Sequence, residues 1–170
     1  MEPQKRSYPL IVTLELDTEQ KGYFNALRKT YFPNHANHLE AHLTMFHHLP
    51  SGNEFVMHVL QDYANRAIFP LEVSHLVNFG KGVAFQLYSA ELQQIHSEMQ
   101  QALSQFLKRH DLKPIWPHIT IQNKVTSFKA QQTLDFLKDS FEPFEINAIG
   151  FGIWYYIGGP WRPARFIPFT

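Results

Sequence analysis

The chain has 170 residues, 44% of them hydrophobic, enough to bury a core within the usual range of one domain. Fifteen Lys and Arg balance fifteen Asp and Glu, so no global positive field exists to hold a long polyanion by counterion release. Cysteine is absent, which excludes disulfides, thiolate metal sites and cysteine nucleophiles together.

Met1 to Arg6 is polar, and the first apolar run, Leu10 to Leu16, is short and broken by Thr13 and Glu15. Neither looks like a signal peptide or a membrane span, so a soluble cytoplasmic protein is expected. Leu10, Val12, Leu14 and Leu16 recur every second residue, as on a half-buried strand. Asp17, with Gln20 three residues on, resembles a helix-capping pair, and a helix through Phe24 and Leu27 to about Tyr31 follows. Glu40 to Leu49 reads as a strand; Pro50-Ser51-Gly52 turns it into a helix carrying Phe55, Val59, Leu60 and Tyr63, which Pro70 ends. Leu71–Phe79 and Val83–Ser89 form a predicted hairpin, joined at Gly80-Lys81-Gly82 by glycines that permit positive backbone angles. Ser89 then caps a helix whose stripe is Leu92, Ile95, Met99, Leu103 and Phe106. Pro114 and Pro117 bracket the entry to a strand at His118–Asn123, and Thr126 or Ser127 caps a helix carrying Leu134, Leu137 and Phe141. Pro143–Tyr156 is strand-like, and Arg165–Phe169 supplies a last strand.

The order strand, helix, strand, helix, strand occurs twice. His42-Leu43-Thr44-Met45 and His118-Ile119-Thr120-Ile121 lie 76 residues apart, and about the same offset lays Leu10–Leu16 on Val83–Ser89. This spacing is too long for a solenoid unit and implies a duplicated lobe, roughly residues 8–79 and 82–156, with a C-terminal strand in 162–170. The expected fold is therefore a single bilobal α+β domain over 1–170. Two antiparallel-rich sheets are related by a pseudo-twofold axis around a central cleft, with helices outside.

On a strand the period of two puts His and Thr of each tetrad on one face and the apolar pair in the core. His42, Thr44, Phe46 and His48 then share one surface, and Trp116, His118, Thr120 and Gln122 the matching surface of the other lobe. A random His in this composition is followed by apolar-Thr-apolar roughly once in a hundred times, so the pair carries a signal that either tetrad alone lacks. The chemistry suits in-line displacement at a phosphodiester. One imidazole takes a proton from the attacking hydroxyl, a second gives one to the leaving oxygen, and the hydroxyls of Thr44 and Thr120 donate to the nonbridging oxygens. No metal or other cofactor is required; His47 points away from His42, and no carboxylate beyond Glu40 is near. Phe46 and Trp116 are candidates to stack on a base or ribose, and Tyr156 to bond a phosphate, each with plain packing as the alternative.

Two His-apolar-Thr-apolar tetrads on duplicated lobes resemble the two-histidine (2H) phosphoesterase superfamily, which includes the 2'-5' RNA ligase-like proteins and the cyclic nucleotide phosphodiesterases. The ending Trp154-Tyr155-Tyr156-Ile157-Gly158-Gly159-Pro160-Trp161, closing on Arg165-Phe166-Ile167-Pro168-Phe169, also looks like the tail of a bacterial branch of that group. The resemblance implies a catalytic pair, His42 and His118, and phosphate-contacting hydroxyls on Thr44 and Thr120. It implies a metal-independent phosphodiesterase or reversible ligase acting on 2',3'-cyclic phosphate or 2'-5' linkages. The neutral composition favours a small partner, a nucleotide or a short RNA end, bound by a monomer. A non-catalytic module that binds cyclic nucleotides or RNA ends is the alternative.

Overall fold

The computed structural model describes residues 7–170; the polar stretch Met1–Arg6 lies outside them. It has an α+β fold built on one seven-stranded sheet in which every pairing is antiparallel. The strands are β1 (Leu10–Leu16), β2 (Leu43–Leu49), β3 (Phe69–Asn78), β4 (Val83–Tyr88), β5 (His118–Gln122), β6 (Phe144–Tyr155) and β7 (Arg162–Pro168). Four helices intervene, α1 (Thr18–Tyr31), α2 (Glu54–Ala64), α3 (Ala90–Ala102) and α4 (Ser127–Lys138). Among the described residues no helix is long and apolar enough to cross a membrane.

The expected two sheets are one, and the reason is the length of β6. Its first residues pair with β3, from Phe144 opposite Val73 to Ala148 opposite Phe69. Its remainder pairs with β1 on one side and with β7 on the other. A strand of 12 residues thus joins β1 and β7 to β3 within one sheet, and the strand order runs β2-β1-β6-β3-β4-β5. The two tetrad strands, β2 and β5, are the two ends of that order, and they approach to within 8 Å between Cα atoms.

Local chemistry explains most elements. Asp17, Asn53, Ser89 and Thr126 each accept a backbone N–H in the first turn of their helix, satisfying a donor that has no partner within the helix. Gln20 does not complete a capping box; its side chain bridges to β6 instead, accepting from the N–H of Asn147 at 2.8 Å. Pro70 is the second residue of β3, not a helix stop, because α2 has already ended at Ala64. Helix α3 stops at Ala102, so Leu103 is buried at its end and Phe106 lies in a separate 3-10 turn. In the β3–β4 turn Gly80 takes a positive φ of 103°, whereas Gly82 serves close approach: a Cβ there would stand 1.9 Å from the carbonyl oxygen of Gln122.

Packing follows the alternation. Leu10, Val12, Leu14 and Leu16 are buried, as are Leu43, Met45, Ile119 and Ile121 behind the two tetrads. Phe24 of α1 meets Phe85 of β4 and Phe144 of β6 at centroid distances of 5.3 and 6.2 Å; pairs of this kind add about 1 kcal/mol each beyond burial. Helix α1 also reaches the far tetrad strand: the buried Arg28 donates to the carbonyl oxygen of Thr120 at 2.8 Å. In turn, His96 of α3 donates from Nε2 to the carbonyl oxygen of Met45 in β2 at 3.0 Å. Each tetrad strand is therefore braced by a helix from the other half of the sequence.

Candidate active site

Both tetrad histidines are half-buried and held in the same way. Nδ1 of His42 lies 2.7 Å from the carbonyl oxygen of Glu40, and Nδ1 of His118 lies 2.7 Å from that of Trp116. A carbonyl only accepts, so Nδ1 carries the proton in each ring, and each Nε2 is left with its lone pair. The segments that supply these carbonyls are themselves tied down. Ala41 N–H donates to Asn25 of α1 at 2.6 Å, and the Lys21 ammonium sits 3.0 Å from the Glu40 carboxylate. On the other side, Leu87 N–H donates to Pro117 and the Trp116 indole to Gln86, so β4 positions the approach to His118.

The electrostatics favour the neutral form of both rings. Burial pushes His42 down to about 4, helped by the charges of Arg28, His118 and Lys21 and opposed by the bond to Glu40. Burial also lowers His118, and a positive charge on His47 adds to that, against the bond to Trp116. Neutral imidazoles with a fixed tautomer are ready to accept a proton at Nε2.

Thr44 of the first tetrad and His118 of the second line one groove of about 250 Å³, together with Trp116 and His47. His42 lines another, with Lys21, Glu40, Trp154 and Trp161. An indole stands beside each imidazole. Trp116 is stacked on His118 at 4.0 Å and 18°, as their shared parity predicts, and Trp161 is tilted against His42 at 4.7 Å. The Trp154 indole donates to Thr13, Thr13 to Glu15, and Lys21 links Glu15 to Glu40. This polar chain runs from the C-terminal tail to the residue whose carbonyl holds His42. Gly152 leaves room for it, since a Cβ there would come within 2.9 Å of all three side chains, Glu15, Thr13 and Trp154.

Phe46 is not at the site. It is fully buried and stacked on His96 at 4.8 Å and 13°, so it offers no face to a base. The cause is irregular pairing: Thr13 faces Thr44 but Val12 faces Phe46, which makes Met45 an extra residue, and the register shifts again before Leu49. Each bulge reverses the parity of the residues after it. Phe46 therefore turns inward, and His47, not His48, lines the groove with Thr44. The run Met45-Phe46-His47-His48, two apolar then two polar residues, was the readable sign that strict alternation fails here. The freed N–H groups of His47 and His48 are taken by the buried Asp111 carboxylate at 2.9 Å, which also accepts from Nδ1 of His47 at 3.0 Å. No local pattern marks Asp111, which lies far along the chain in the short 3-10 turn Arg109–Leu112. Tyr156 follows the end of β6 with its N–H bonded to Pro9, while Trp161 is the tail aromatic in contact with a tetrad imidazole. Arg165 turns to Gln61 and Arg162 lies over the ring of Tyr155; the lysines that line the two grooves are Lys21 and Lys113. Among the described residues, no three of His, Asp and Glu converge as a metal site requires.

The sequence profile of the 2'-5' RNA ligase superfamily matches residues 16–160, both tetrads included. The chain belongs to this superfamily. Solved structures share its fold at low identity. TT0787 of Thermus thermophilus is 14% identical with a TM-score of 0.65, covering 95% of this chain and 97% of that one. E. coli LigT in its apo form is 16% identical with a TM-score of 0.61, covering 98% and 99%. A structure described as a phosphoesterase is 17% identical with a TM-score of 0.59, covering 97% and 99%. No curated protein is similar enough in sequence to match. Membership places the protein in a family of phosphoesterases and ligases.

Proposed function

We propose that the protein is a metal-independent phosphodiesterase that opens 2',3'-cyclic phosphates, or cleaves or forms 2'-5' linkages, in nucleotides or short RNA ends. The observation that carries this reading is the matched pair of imidazoles, each with Nδ1 spent on the carbonyl two residues earlier and Nε2 free. In hydrolysis a water oxygen bonds to phosphorus, its proton passes to Nε2 of one His, and the ribose oxygen leaves with a proton from Nε2 of the other. His42 is the base, because its pKa of about 4 keeps the lone pair available throughout the neutral range. His118 is the acid, charged once an anionic phosphate arrives beside it. Reversal exchanges the roles. Thr44 and Thr120 donate to the nonbridging oxygens, and Trp116 and Trp161 wall the sugar and base. Tyr156, exposed beyond β6, is the remaining candidate to bond a phosphate, with plain packing as the alternative.

A duplicated, pseudo-twofold design for residues 8–79 and 82–156 is part of this reading. It is supported by the edge positions of β2 and β5 and by the reciprocal bracing from Arg28 and His96. A nucleotide ligand is supported by the related LigT, whose structures are described as complexed with 3'-AMP, NADP+ and ATP. The test is a panel of 2',3'-cyclic nucleotides, 2'-5' dinucleotides and cyclic ADP-ribose phosphates, with and without a chelator. The native chain should turn over at least one of them with chelator present, and His42→Ala and His118→Ala should each lower kcat by about 10²- to 10⁴-fold. Activity abolished by chelator yet indifferent to His118→Ala would overturn the mechanism.

A further inference from the structure

Charge is unevenly divided between the two grooves. The groove of His42 contains a lysine balanced by Glu40. The groove of His118 contains His47, His110 and Lys113, with Asp111 as the only carboxylate in its lining. That carboxylate is occupied. It is buried, both oxygens accept from backbone N–H groups of β2, and Oδ1 accepts also from the His47 ring. Burial opposes its ionisation, but the bonds from His47 and His48 outweigh this and hold it below the usual carboxylate range.

His47 is thus the third imidazole of the cleft with a committed Nδ1, and the only one of the three committed to an anion. Nearly half of its side chain is exposed, and Nε2 is left to the groove. His110 packs edge-on against it at 4.2 Å. His96, the remaining imidazole in the lining, is spent on the Met45 carbonyl and the Phe46 ring. Lys113 is presented on a braced loop, because Gln100 of α3 donates to the carbonyl oxygens of both Asp111 and Lys113, at 2.8 and 2.6 Å. Stapling the loop to β2 requires only the two backbone N–H donors; it does not require an oriented imidazole beside a free ammonium. A ring fixed by a carboxylate and an ammonium on a braced loop suit an anionic group of tetrahedral shape, the ammonium donating and the ring sharing a proton with a phosphate hydroxyl.

We infer that the groove beside His118 binds a second phosphate of the substrate through Nε2 of His47 and Nζ of Lys113, so that the preferred substrate carries two phosphates. The inference rests on the phosphodiesterase reading. It also fixes where the second phosphate is attached: in a 2',3'-cyclic end both ring hydroxyls are used, which leaves the 5' carbon. The substrate class is therefore a cyclic phosphate with a phosphorylated 5' position, as in a 5'-phosphorylated nucleotide or the last residue of an oligonucleotide.

Two measurements test it. The first is calorimetric binding of adenosine 3'-monophosphate and adenosine 3',5'-bisphosphate, neither of which can turn over. The native protein should bind the bisphosphate about tenfold more tightly. That preference should collapse toward one in Lys113→Ala and in His47→Gln and persist in Lys113→Arg, and the His47 ring resonances should move with the bisphosphate alone. The second is the ratio of kcat/KM for a 2',3'-cyclic nucleotide with and without a 5'-phosphate, which should fall in the same variants. Equal affinities in the native protein, or a preference unchanged by Lys113→Ala, would overturn the inference even if cyclic phosphates are hydrolysed. Absence of turnover with the binding preference intact would instead overturn the phosphodiesterase reading and leave the anion site standing.

Discussion

A backbone carbonyl two residues upstream holds each tetrad imidazole, and what differs between His42 and His118 is the field around them. His42 is near Arg28 and Lys21 as well as His118, and is pushed down to about 4. His118 is lowered by burial and by His47. The sign of the pH dependence comes from these two directions. A base must be neutral, so kcat/KM should hold as pH falls until His42 protonates near 4. An acid must be charged, so kcat/KM should fall again as pH rises through the lowered pKa of His118, below the 6.5 of a free imidazole. The expected profile is a bell on the acid side of neutrality, its limbs belonging to the coupled pair. The descending limb of kcat should lie higher, because bound phosphate raises His118. An acidic limb of kcat/KM at about 6.5 or above, measured on a cyclic nucleotide, would contradict the assignment of His42 as base.

The tetrads were legible at this scale because strand parity is local: His and Thr two residues apart must share a face. Phe46 departs from its expected place for the same reason, since parity holds only while the ladder is regular and the bulge at Met45 resets it. The roles of Asp111 and Arg28 were not legible. Their partners, His47 and Thr120, lie 64 and 92 residues away.

At the scale of elements, two glycines make opposite predictions. Gly22 lies inside α1 with nothing within 4 Å of an added Cβ. Gly22→Ala should therefore raise stability by about 1 kcal/mol, through the lower entropy of the unfolded chain. At Gly82 the added Cβ would meet the backbone of Gln122 and Asn123, which cannot swing aside as a side chain can. Gly82→Ala should cost about 3 kcal/mol in urea unfolding and lower kcat as well, because β5 carries His118 and must shift. A neutral Gly82→Ala would show that β4 and β5 are held less closely than the register implies. Element existence and type were readable throughout from caps and periodicity. Boundaries slipped where a residue acted across space: Gln20 bonded to β6 instead of its own helix, and Pro70 entered a strand.

Across the molecule as a unit, β6 decides the architecture. By pairing with β1, β3 and β7 along one length, it makes the halves mutually dependent, and α1 and α3 cross to brace the opposite tetrad strand. The two halves should therefore unfold together. Urea transitions followed by far-UV circular dichroism should coincide with those followed by the fluorescence of Trp116 alone and of Trp154 and Trp161 alone, read in tryptophan-to-phenylalanine variants. Separate midpoints would mean that each half folds by itself.

The tetrads and the secondary structure could be read from the chain alone, because imidazole and hydroxyl at spacing two on a strand, helix caps and apolar periods are all set by neighbours within a few bonds. The furnishing of the cleft could not. The merging of two expected sheets into one, the inward turn of Phe46, the placing of Trp161 against His42, and the pairing of His47 with Asp111 depend on contacts between distant segments. Such contacts are fixed by packing and by the need of each buried polar group for a partner, and a linear pattern carries no record of either.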